Sequence, residues 1–330
     1  MPGSCHIHGF GAYTPERIMT NGELAAMVET SNEWIATRTG IERRHILADG
    51  EQVSDAGAHA AREALEEAGL APSAVTHLLF GTCTPERLCP STACITADKL
   101  GMVNNLVAYD FNAACSGFLY GLLQSRALLA ADPDARILLV CGEGLSRRLN
   151  WKDRSTCVLF GDGAGATIFS ARKEGALARL EDVLCTTDSR LRDLINIGGG
   201  SARCYALGES VGEDFFISMQ GREVFKHAVR NMAQVCKDIL ARNALSIKDV
   251  HLLVPHQANM RIIEAVSSRL NFPKERVFSN VADYGNTSAA SVPLALYEAR
   301  KQGRMPSGSR VLMATFGGGL TWAAGLLRME

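Results

Sequence analysis

An internal repeat is the feature that most constrains how this 330-residue chain can fold. Identical or similar residues recur at an offset of 174 positions, as from His77 to His251, and the register needs no gap. The matching pairs are His77-Leu78-Leu79 with His251-Leu252-Leu253, Arg87 with Arg261, Val107-Ala108 with Val281-Ala282, Asn112 with Asn286, Leu122 with Leu296, Arg126 with Arg300, and Arg136-Ile137-Leu138 with Arg310-Val311-Leu312. One such match has little weight, but seven in one register predict a duplicated structural unit.

The two halves also share one order of predicted elements: a helix, a buried strand, a loop with a helix, a strand, a long helix and a further buried strand. The predicted helices cover 54–68, 118–131, 223–243 and 260–270, and the predicted strands cover 76–80, 107–111, 137–140, 250–254 and 311–314. Uninterrupted apolar strands are typical of sheets that helices cover on both faces. We therefore predict two packed α/β halves, residues 1–172 and 215–330, joined by a linker and surface insertion at 173–214.

Composition excludes several classes of protein. The chain is 47% hydrophobic, and its 34 Lys and Arg residues are balanced by 35 Asp and Glu, giving a net charge of −1. Such a chain has no overall field that would attract nucleic acid or an anionic membrane surface. No apolar stretch approaches the ~18 residues of a membrane span, and the first residues lack the pattern of a signal peptide. We expect a cytoplasmic protein.

The ten cysteines are spread along the chain and form no C-x-x-C pair. This distribution favours reduced thiols over a disulfide framework. The nearest group, Cys83, Cys89 and Cys94, has no neighbouring pair of histidines that would complete a zinc site. No metal site is predicted.

Cys115 lies at a predicted turn between the strand at 107–111 and the helix at 118–131. Free N–H groups and the dipole at a helix N-terminus favour a thiolate, so we expect its pKa to lie below the usual ~8.5. This is the position of a nucleophile. A small buried cysteine that only fills space is the alternative.

Two polar loops in the second half are candidates for the same site. His256 directly follows a predicted strand, and open α/β sheets gather their sites beyond the carboxyl ends of strands. A solvated loop histidine is the alternative. Asn286 occupies in its half the place that Asn112 has beside Cys115, so we expect the two loops to meet, although helix capping would also explain this asparagine.

Two glycine-rich segments, 160–166 and 316–319, resemble each other. Neither has the spacing of a dinucleotide-binding or phosphate-binding loop. Close backbone packing is the preferred explanation for the first segment. In the second, the N–H of Gly318 can point at a developing oxyanion.

Together, residues 112–117, 256–259, 285–291 and 316–319 resemble the motifs of the β-ketoacyl-acyl-carrier-protein synthase III family, with similarity over about residues 6–328. The resemblance implies an α/β, thiolase-like fold with duplicated βαβαβαββ halves in a five-layered α-β-α-β-α sandwich. It further implies a homodimer with no resident cofactor, because the coenzyme A thioester is a substrate.

In that family a cysteine is acylated by an acyl-CoA primer, and a histidine and an asparagine promote decarboxylation of malonyl-acyl-carrier protein. The carbanion then attacks the acyl thioester, which yields a 3-oxoacyl-carrier protein and CO2. The resemblance assigns these roles to Cys115, His256 and Asn286. It places the malonyl thioester oxygen against His256 and Asn286, and the acyl thioester oxygen against the backbone N–H groups of Cys115 and Gly318.

Further matches concern the substrates. The residues that resemble contacts for the adenine of CoA are Trp34, Arg38 and Arg154, those at other family active-site positions are Asn259 and Phe316, and the one that resembles the contact for the acidic carrier protein is Arg261. Cys89, after Leu88, stands where many members have a phenylalanine that closes the acyl pocket from across the dimer interface. We expect the smaller residue to admit longer or branched primers. The loop at 190–205, with Gly198-Gly199-Gly200, departs from the simplest members of the family. The resemblance therefore does not define the shape of the acyl pocket there.

Three functions remain open at this point. The chain is the priming condensing enzyme of fatty-acid synthesis, a secondary-metabolite relative with the same triad and an unusual primer, or a non-catalytic partner subunit with the thiolase fold. Intact His256 and Asn286 favour condensation, and intact Cys115 speaks against a non-catalytic subunit.

Overall fold

The computed structural model describes residues 4–103, 105–198 and 212–330. The strands are β1 (His6–Tyr13), β2 (Arg17–Thr20), β3 (Arg43–Ile46), β4 (His77–Gly81), β5 (Val107–Phe111), β6 (Ile137–Glu143), β7 (Gly163–Ser170), β8 (Ala178–Thr187), β9 (Ile195–Ile197), β10 (Ile217–Met219), β11 (Leu252–Pro255), β12 (Arg310–Gly317) and β13 (Thr321–Met329). The helices are α1 (Asn21–Ala25), α2 (Asn32–Thr39), α3 (Val53–Glu67), α4 (Thr92–Lys99), α5 (Gly117–Ala131), α6 (Gly221–Arg242), α7 (Met260–Arg269), α8 (Val281–Tyr284) and α9 (Ser291–Lys301). These bounds agree with the predicted helices and strands to within a few residues.

The main strands form a mixed sheet in the order β11-β12-β13-β8-β1-β7-β6-β4-β5. It consists of two half-sheets that meet where β1 and β8 share a short antiparallel ladder, with His6 opposite Arg179. In the first half β4 runs parallel to β5 and β6, and in the second half β11 runs parallel to β12. Parallel strands end at the same edge of a sheet, so the loops after β4, β5 and β11 can build one site.

Three layers of helices enclose the two half-sheets. Helix α3 packs on the outer face of the first half-sheet and α6 on that of the second, whereas α5 and α9 lie between them and contact strands of both halves. Helix α5 is apolar around most of its circumference, as expected for a helix packed between two sheets, and Leu123 is its exposed large apolar residue. The predicted five-layered α-β-α-β-α thiolase-like fold is therefore confirmed. Within the described residues, no helix has both the length and the apolar surface needed to cross a membrane.

The repeat register holds at both ends and fails in the middle. Helices α5 and α9 begin at matching positions, Gly117 and Ser291, and so do β6 and β12 near Ile137 and Val311. At the other end Leu78 of β4 matches Leu252 of β11, but residues 82–91 then link β4 to α4, whereas only 256–259 link β11 to α7. The second half is longer than the first in the segment that contains α8, between the counterpart of β5 and helix α9. Two opposite length differences therefore cancel, which is why the sequence register needs no gap.

Two of the matched pairs are consequently not structural equivalents. Arg87 lies in the long loop after β4, whereas Arg261 lies in the first turn of α7. The match of Val107 with Val281 fails in the same way, because β5 is a strand and 281–284 is helical. The counterpart of β5 is the segment at Val277, which pairs with Leu253 of β11.

The predicted linker at 173–214 is wrong over residues 178–187, which form β8. This strand pairs with β13 along its length and joins the two half-sheets through β1. Its charged residues Arg179, Glu181 and Asp182 conceal the strand pattern in the sequence. The loop predicted at 190–205 contains β9, which pairs with β10. Gly199, Gly200 and the rest of that loop lie outside the described residues.

Glycine allows α3 to lie directly on β1. A Cβ atom built on Gly11 would overlap the carbonyl oxygen of Ala60, and one built on Gly9 would overlap that of Ala64. Neither backbone oxygen can move without displacing α3. The sequence places small residues on both sides of this contact, since Ala60 and Ala64 are fully buried.

We expect Gly11→Ala to lower the free energy of unfolding by about 2–3 kcal/mol, because the added methyl group separates α3 from β1. Urea unfolding followed by circular dichroism measures this. Gly22→Ala is the matched control, since the atom nearest to a Cβ built there lies 3.7 Å away. Equal stability of the two variants would contradict the proposed close packing.

Candidate active site

Cys115 lies in a single 3-10 turn, Ala114–Ser116, between the end of β5 and the first residue of α5. Asn112 shapes this turn because its Oδ1 accepts a hydrogen bond from the N–H of Ala114 at 2.9 Å. Ala114 has a φ of 47°, a conformation that costs a non-glycine residue strain and is common at functional turns. The thiol is thus held at the N-terminus of a buried helix.

The second half repeats this turn with the same chemistry. Asn286 Oδ1 accepts a hydrogen bond from the N–H of Ser288 at 2.9 Å, and Ser288 has a φ of 49°. Helix α9 begins three residues after Ser288, as α5 does after Ala114. Because Oδ1 is already engaged, the Nδ2 amide group is the part of Asn286 that can donate to a ligand.

The two turns meet at the centre of the molecule, as the repeat predicts. A Cβ built on Gly117 would lie 2.9 Å from the Cβ of Ala289, so only glycine permits this approach. On the other side, a Cβ built on Gly317 would lie 2.7 Å from the backbone nitrogen of Cys115. The end of β12 therefore presses against the nucleophile turn and brings Gly318 beside it.

His256 follows β11 and is fixed by its own neighbours. Its backbone N–H donates to the carbonyl of Ala314 at 2.7 Å, and its Nδ1 lies 2.6 Å from Ser291 Oγ. The N–H of Gln257 also approaches Ser291 Oγ, at 3.5 Å. A serine hydroxyl that donates to Nδ1 leaves the proton of the neutral ring on Nε2. In that tautomer His256 presents an N–H donor.

Two cavities adjoin Cys115. The first, which we name the His256 cavity, has a volume of about 470 Å³, and the predicted site residues that line it are Arg38, Cys115, His256, Asn259, Arg261, Asn286 and Phe316. The second, which we name the Cys83 cavity, has a volume of about 430 Å³ and is lined by Cys83, Cys115, Ser288 and Gly318 among others. Cys115 thus stands between two spaces of different composition. The predicted nucleophile, histidine and asparagine share one of them.

Burial determines the charge state of Cys115. It raises the pKa of the thiol to about 12, the Ser288 hydroxyl lowers it, and the carboxylate of Glu143 raises it further. The predicted lowering of this pKa is therefore wrong for the ligand-free protein. Loss of water around the thiolate costs more than the stabilisation offered by the helix N-terminus.

Burial also keeps His256 neutral. It lowers the pKa of the imidazole from 6.5 to about 3, because the charged ring cannot be solvated there. The site at neutral pH therefore holds a thiol and an uncharged imidazole. This pair can donate hydrogen bonds to a developing oxyanion, whereas a thiolate–imidazolium pair is disfavoured.

The mouth of the His256 cavity is cationic and aromatic. Trp34 lies outside the cavity lining, with the guanidinium groups of Arg38 and Arg154 at 5.8 and 4.9 Å from its ring centre. Arg261 is exposed in the first turn of α7 and lies over the ring of Phe225 at 5.6 Å. Asn259 caps the same helix, because its Oδ1 accepts the N–H of Ile262 at 2.9 Å.

Leu88 and Cys89 line neither cavity of the single chain. Leu88 is 84% exposed, and Cys89 is exposed beside it. Both belong to the long loop after β4, near the outermost strand β5. A role for them in the acyl pocket requires a second subunit and stays a prediction.

Sequence reasoning overlooked three residues of this site. Ser291, which orients His256, was visible only as part of the motif at 285–291. Cys83 was weighed solely as a metal ligand. Glu143 carried a recognisable signal, since an acidic residue at the end of the apolar strand β6 points to the edge of the sheet where sites form.

Comparison with known proteins places the chain among condensing enzymes. Residues 109–189 match the family described as 3-oxoacyl-[acyl-carrier-protein] synthase III, and residues 240–329 match its C-terminal family. The chain is 59% identical to beta-ketoacyl-[acyl-carrier-protein] synthase III of Nitratidesulfovibrio vulgaris, over 98% of this chain and 97% of that protein. It is 43% identical to the enzyme of that name from Clostridium perfringens, over 97% and 98% of the two chains. The crystal structure of 3-oxoacyl-[acyl-carrier-protein] synthase III from Aquifex aeolicus superposes with a TM-score of 0.90 at 41% identity, over 98% and 99% of the two chains.

The depressed pKa of His256 predicts a loss of stability in acid. In the unfolded chain His256 is protonated below pH 6.5, whereas in the folded protein it stays neutral down to about pH 3. The free energy of unfolding therefore falls as the pH decreases through this window. Between pH 7 and pH 5, the free energy of unfolding of the wild type should fall by about 2 kcal/mol more than that of His256→Gln. Urea titrations at the two pH values measure the difference. His251→Gln, at an exposed histidine, is the control and should behave as the wild type.

Proposed function

Because this chain belongs to the β-ketoacyl-[acyl-carrier-protein] synthase III family and is a condensing acyltransferase of fatty-acid synthesis, we propose that Cys115 carries the primer. In this proposal an acyl-CoA acylates Cys115, and malonyl-acyl-carrier protein then receives the acyl group with loss of CO2. The products are CoA, CO2 and a 3-oxoacyl-acyl-carrier protein. The observation that carries the proposal is the joint lining of the His256 cavity by Cys115, His256 and Asn286.

The first half-reaction is acyl transfer. The sulfur of Cys115 attacks the thioester carbonyl of acyl-CoA, the C–S bond to CoA breaks, and the thiol proton of Cys115 ends on the departing CoA sulfur. Negative charge develops on the carbonyl oxygen, and the backbone N–H groups of Cys115 and Gly318 are placed to bind it. Such donors typically lower a barrier by about 3–4 kcal/mol each. The approach of Gly317 to the nitrogen of Cys115 supports this arrangement.

The second half-reaction is decarboxylation and condensation. The C–C bond to the malonyl carboxylate breaks, CO2 leaves, and the electron pair is held as an enolate on the malonyl thioester. His256 Nε2–H and Asn286 Nδ2–H donate to the enolate oxygen. The carbanion then attacks the acyl-Cys115 carbonyl, and the Cys115 sulfur leaves and takes up a proton. A neutral His256 suits this role, since it donates without first having to gain a proton.

The two cavities divide the substrates between them. The His256 cavity opens past Arg38 and Arg261 and suits the arm that carries each thioester. The Cys83 cavity lies on the other side of Cys115 and suits the acyl chain. Its volume of about 430 Å³ corresponds to more than ten water molecules at about 30 Å³ each, which exceeds the needs of an acetyl group.

The mouth suits the two carriers of the thioesters. We assign the adenine of CoA to Trp34, with Arg38 and Arg154 beside its phosphates, because the aromatic ring and the two guanidinium groups form one cluster. We assign the acidic carrier protein to Arg261, which is exposed at the cavity rim. The reaction as proposed uses CoA thioesters as substrates and requires no resident cofactor.

We further propose that the protein is a homodimer. Strand β5 is the outermost strand of its half-sheet, and outermost strands offer free backbone groups to another chain. Apolar side chains are exposed nearby at Leu88, Val103 and Val107. A second copy bound to this edge would cover them and bring Cys89 towards the neighbouring acyl pocket.

The free cysteines of the described residues suit the reducing cytoplasm.

Separating the half-reactions tests the assigned roles. Cys115→Ser should lose acylation by acyl-CoA, whereas His256→Ala and Asn286→Ala should remain acylated and lose malonyl decarboxylation by about a hundredfold or more. Intact-protein mass spectrometry follows acylation, and release of labelled CO2 follows decarboxylation. Equal loss of both half-reactions in folded His256→Ala would show that this histidine activates Cys115 instead.

The residue at position 89 tests the dimer and the pocket together. Cys89→Phe should narrow primer use, because a larger side chain from the partner shortens the acyl pocket and each excluded methylene forfeits about 0.8 kcal/mol. Acetyl-, butyryl-, hexanoyl- and octanoyl-CoA are compared as primers for both proteins. Ser307→Phe, at an exposed position in the turn before β12 and away from β5, controls for added bulk. A wild type restricted to acetyl-CoA, with no change in Cys89→Phe, contradicts the assignment.

A further inference from the structure

Glu143 is a buried acid that the proposed reaction does not use. It is the last residue of β6, and its side chain is 0% exposed. Burial of a carboxylate is costly unless donors compensate for the lost water. A group of this kind beside a nucleophile calls for a physical explanation.

The donors come from one short turn, residues 82–84, which directly follows β4. Glu143 Oε2 accepts hydrogen bonds from Thr84 Oγ1 at 2.6 Å and from Thr82 Oγ1 at 3.1 Å. The N–H of Cys83 donates to the same oxygen at 3.1 Å, and Cys83 Sγ lies 3.3 Å from Oε1. The carboxylate thus organises the whole turn.

Burial raises the pKa of Glu143 above its usual value, whereas the hydroxyl, thiol and N–H donors of the turn lower it and favour the ionised carboxylate. Every partner of Glu143 in the turn is a donor, and a protonated carboxyl group would bring one more donor into it. The hydroxyl groups are further fixed, because Thr82 Oγ1 accepts the N–H of Thr84 and Thr84 Oγ1 accepts the N–H of Gly144. Within the described ranges, no Lys, Arg or His forms an ion pair with Glu143. Its charge is therefore balanced by dipoles alone and acts on its surroundings.

The turn connects Glu143 with the nucleophile. Cys83 and Cys115 both line the Cys83 cavity, and Ser288 lies between them in the same lining. We propose that Glu143 is a positioning residue for Cys115: it holds the 82–84 turn so that Cys83 forms the cavity wall, and it places a negative charge behind the nucleophile. The proposal rests on the proposed role of Cys115 as the acylated residue.

The other titratable groups around Cys115 do not offset this charge. Cys83 and Cys141 are thiols whose pKa values burial raises, with Glu143 adding to the effect. His256 is neutral for the reason given above. Arg148 acts on Cys83 but not on Cys115, and its Nη2 donates to the carbonyl of Gly198 at 2.6 Å while its guanidinium lies over the ring of Phe215. Among these groups, Glu143 is the one whose charge shifts the pKa of Cys115.

The consequence is a nucleophile that stays protonated until a thioester binds. A nearby anion disfavours ionisation of a thiol, so the resting Cys115 reacts slowly with alkylating and oxidising agents. A bound thioester makes attack by Cys115 favourable, because the oxyanion donors then stabilise the negative charge that develops on its carbonyl oxygen. Glu143 therefore favours reaction with substrate over reaction with other electrophiles.

The test measures alkylation of Cys115 by iodoacetamide between pH 7.5 and 9.5, with the peptides of Cys115 and Cys83 quantified separately by mass spectrometry. Glu143→Gln keeps the shape and removes the charge, so Cys115 should be alkylated about tenfold faster at each pH, which corresponds to a pKa lower by about one unit. Glu143→Asp keeps the charge and should stay near the wild-type rate. A purely structural role would make both variants alike.

Asp162→Asn is the matched control. Asp162 is also buried and hydrogen-bonded, to Ser146 Oγ at 2.5 Å and to the N–H of Leu47 at 2.9 Å, but it does not act on Cys115. Its loss should leave the alkylation rate of Cys115 unchanged. An equal acceleration in Asp162→Asn, or an unchanged rate in folded Glu143→Gln, would overturn the proposal.

Thr84→Val provides a second variant in case Glu143→Gln does not fold. It removes the shortest hydrogen bond to the carboxylate, so Glu143 takes up a proton more readily and alkylation of Cys115 should accelerate, by less than in Glu143→Gln. An unchanged rate in Thr84→Val would then overturn the proposal. Acylation of the wild type by acyl-CoA is measured in parallel. Acylation at a residue other than Cys115 would refute the proposed function, while the alkylation series would still report on Glu143.

Discussion

The contact between the first turns of α5 and α9 is the constraint on which the rest of this structure depends. Both helices lie in the middle layer and begin at equivalent positions of the repeat. Their approach is so close that Gly117 has no room for a side chain opposite Ala289. Because α5 belongs to the first half and α9 to the second, this contact places Cys115 next to Asn286. Duplication supplies two similar turns, one of which holds Cys115 while the other follows Asn286.

The same burial that stabilises this centre determines its electrostatics. His256 is buried and Cys115 is half-buried, and loss of water disfavours the charged form of both. A helix N-terminus and a strand end were sufficient to locate these residues in the sequence. They were insufficient to establish protonation states, since desolvation depends on everything packed around the group. The outcome is a site of hydrogen-bond donors, which suits reactions that pass through oxyanions.

Elements that depart from the repeat build the approaches to this centre. The long loop after β4 supplies the turn around Glu143 and carries Leu88 and Cys89 to the edge of the molecule. The segment with β9 and β10 supplies Ile195, Ile197 and Ile217 to the wall of the Cys83 cavity. Duplicated parts thus hold Cys115 and Asn286, whereas unequal parts hold His256 and line the Cys83 cavity. This division follows from packing, because the buried layers leave only surface connections free to vary in length.

The sequence by itself determined the duplicated α/β architecture, the helices and strands that carry the repeat, and the turns that hold Cys115, His256 and Asn286. These features depend on local periodicity and on motifs whose residues lie close together in the chain. Tertiary structure decided what depends on distant contacts. It showed that 178–187 is a strand hidden by its charges, that the gapless register conceals two cancelling length differences, and that Ser291 orients His256. It also showed that Glu143 binds the turn at 82–84, because only folding brings the end of β6 to the turn after β4.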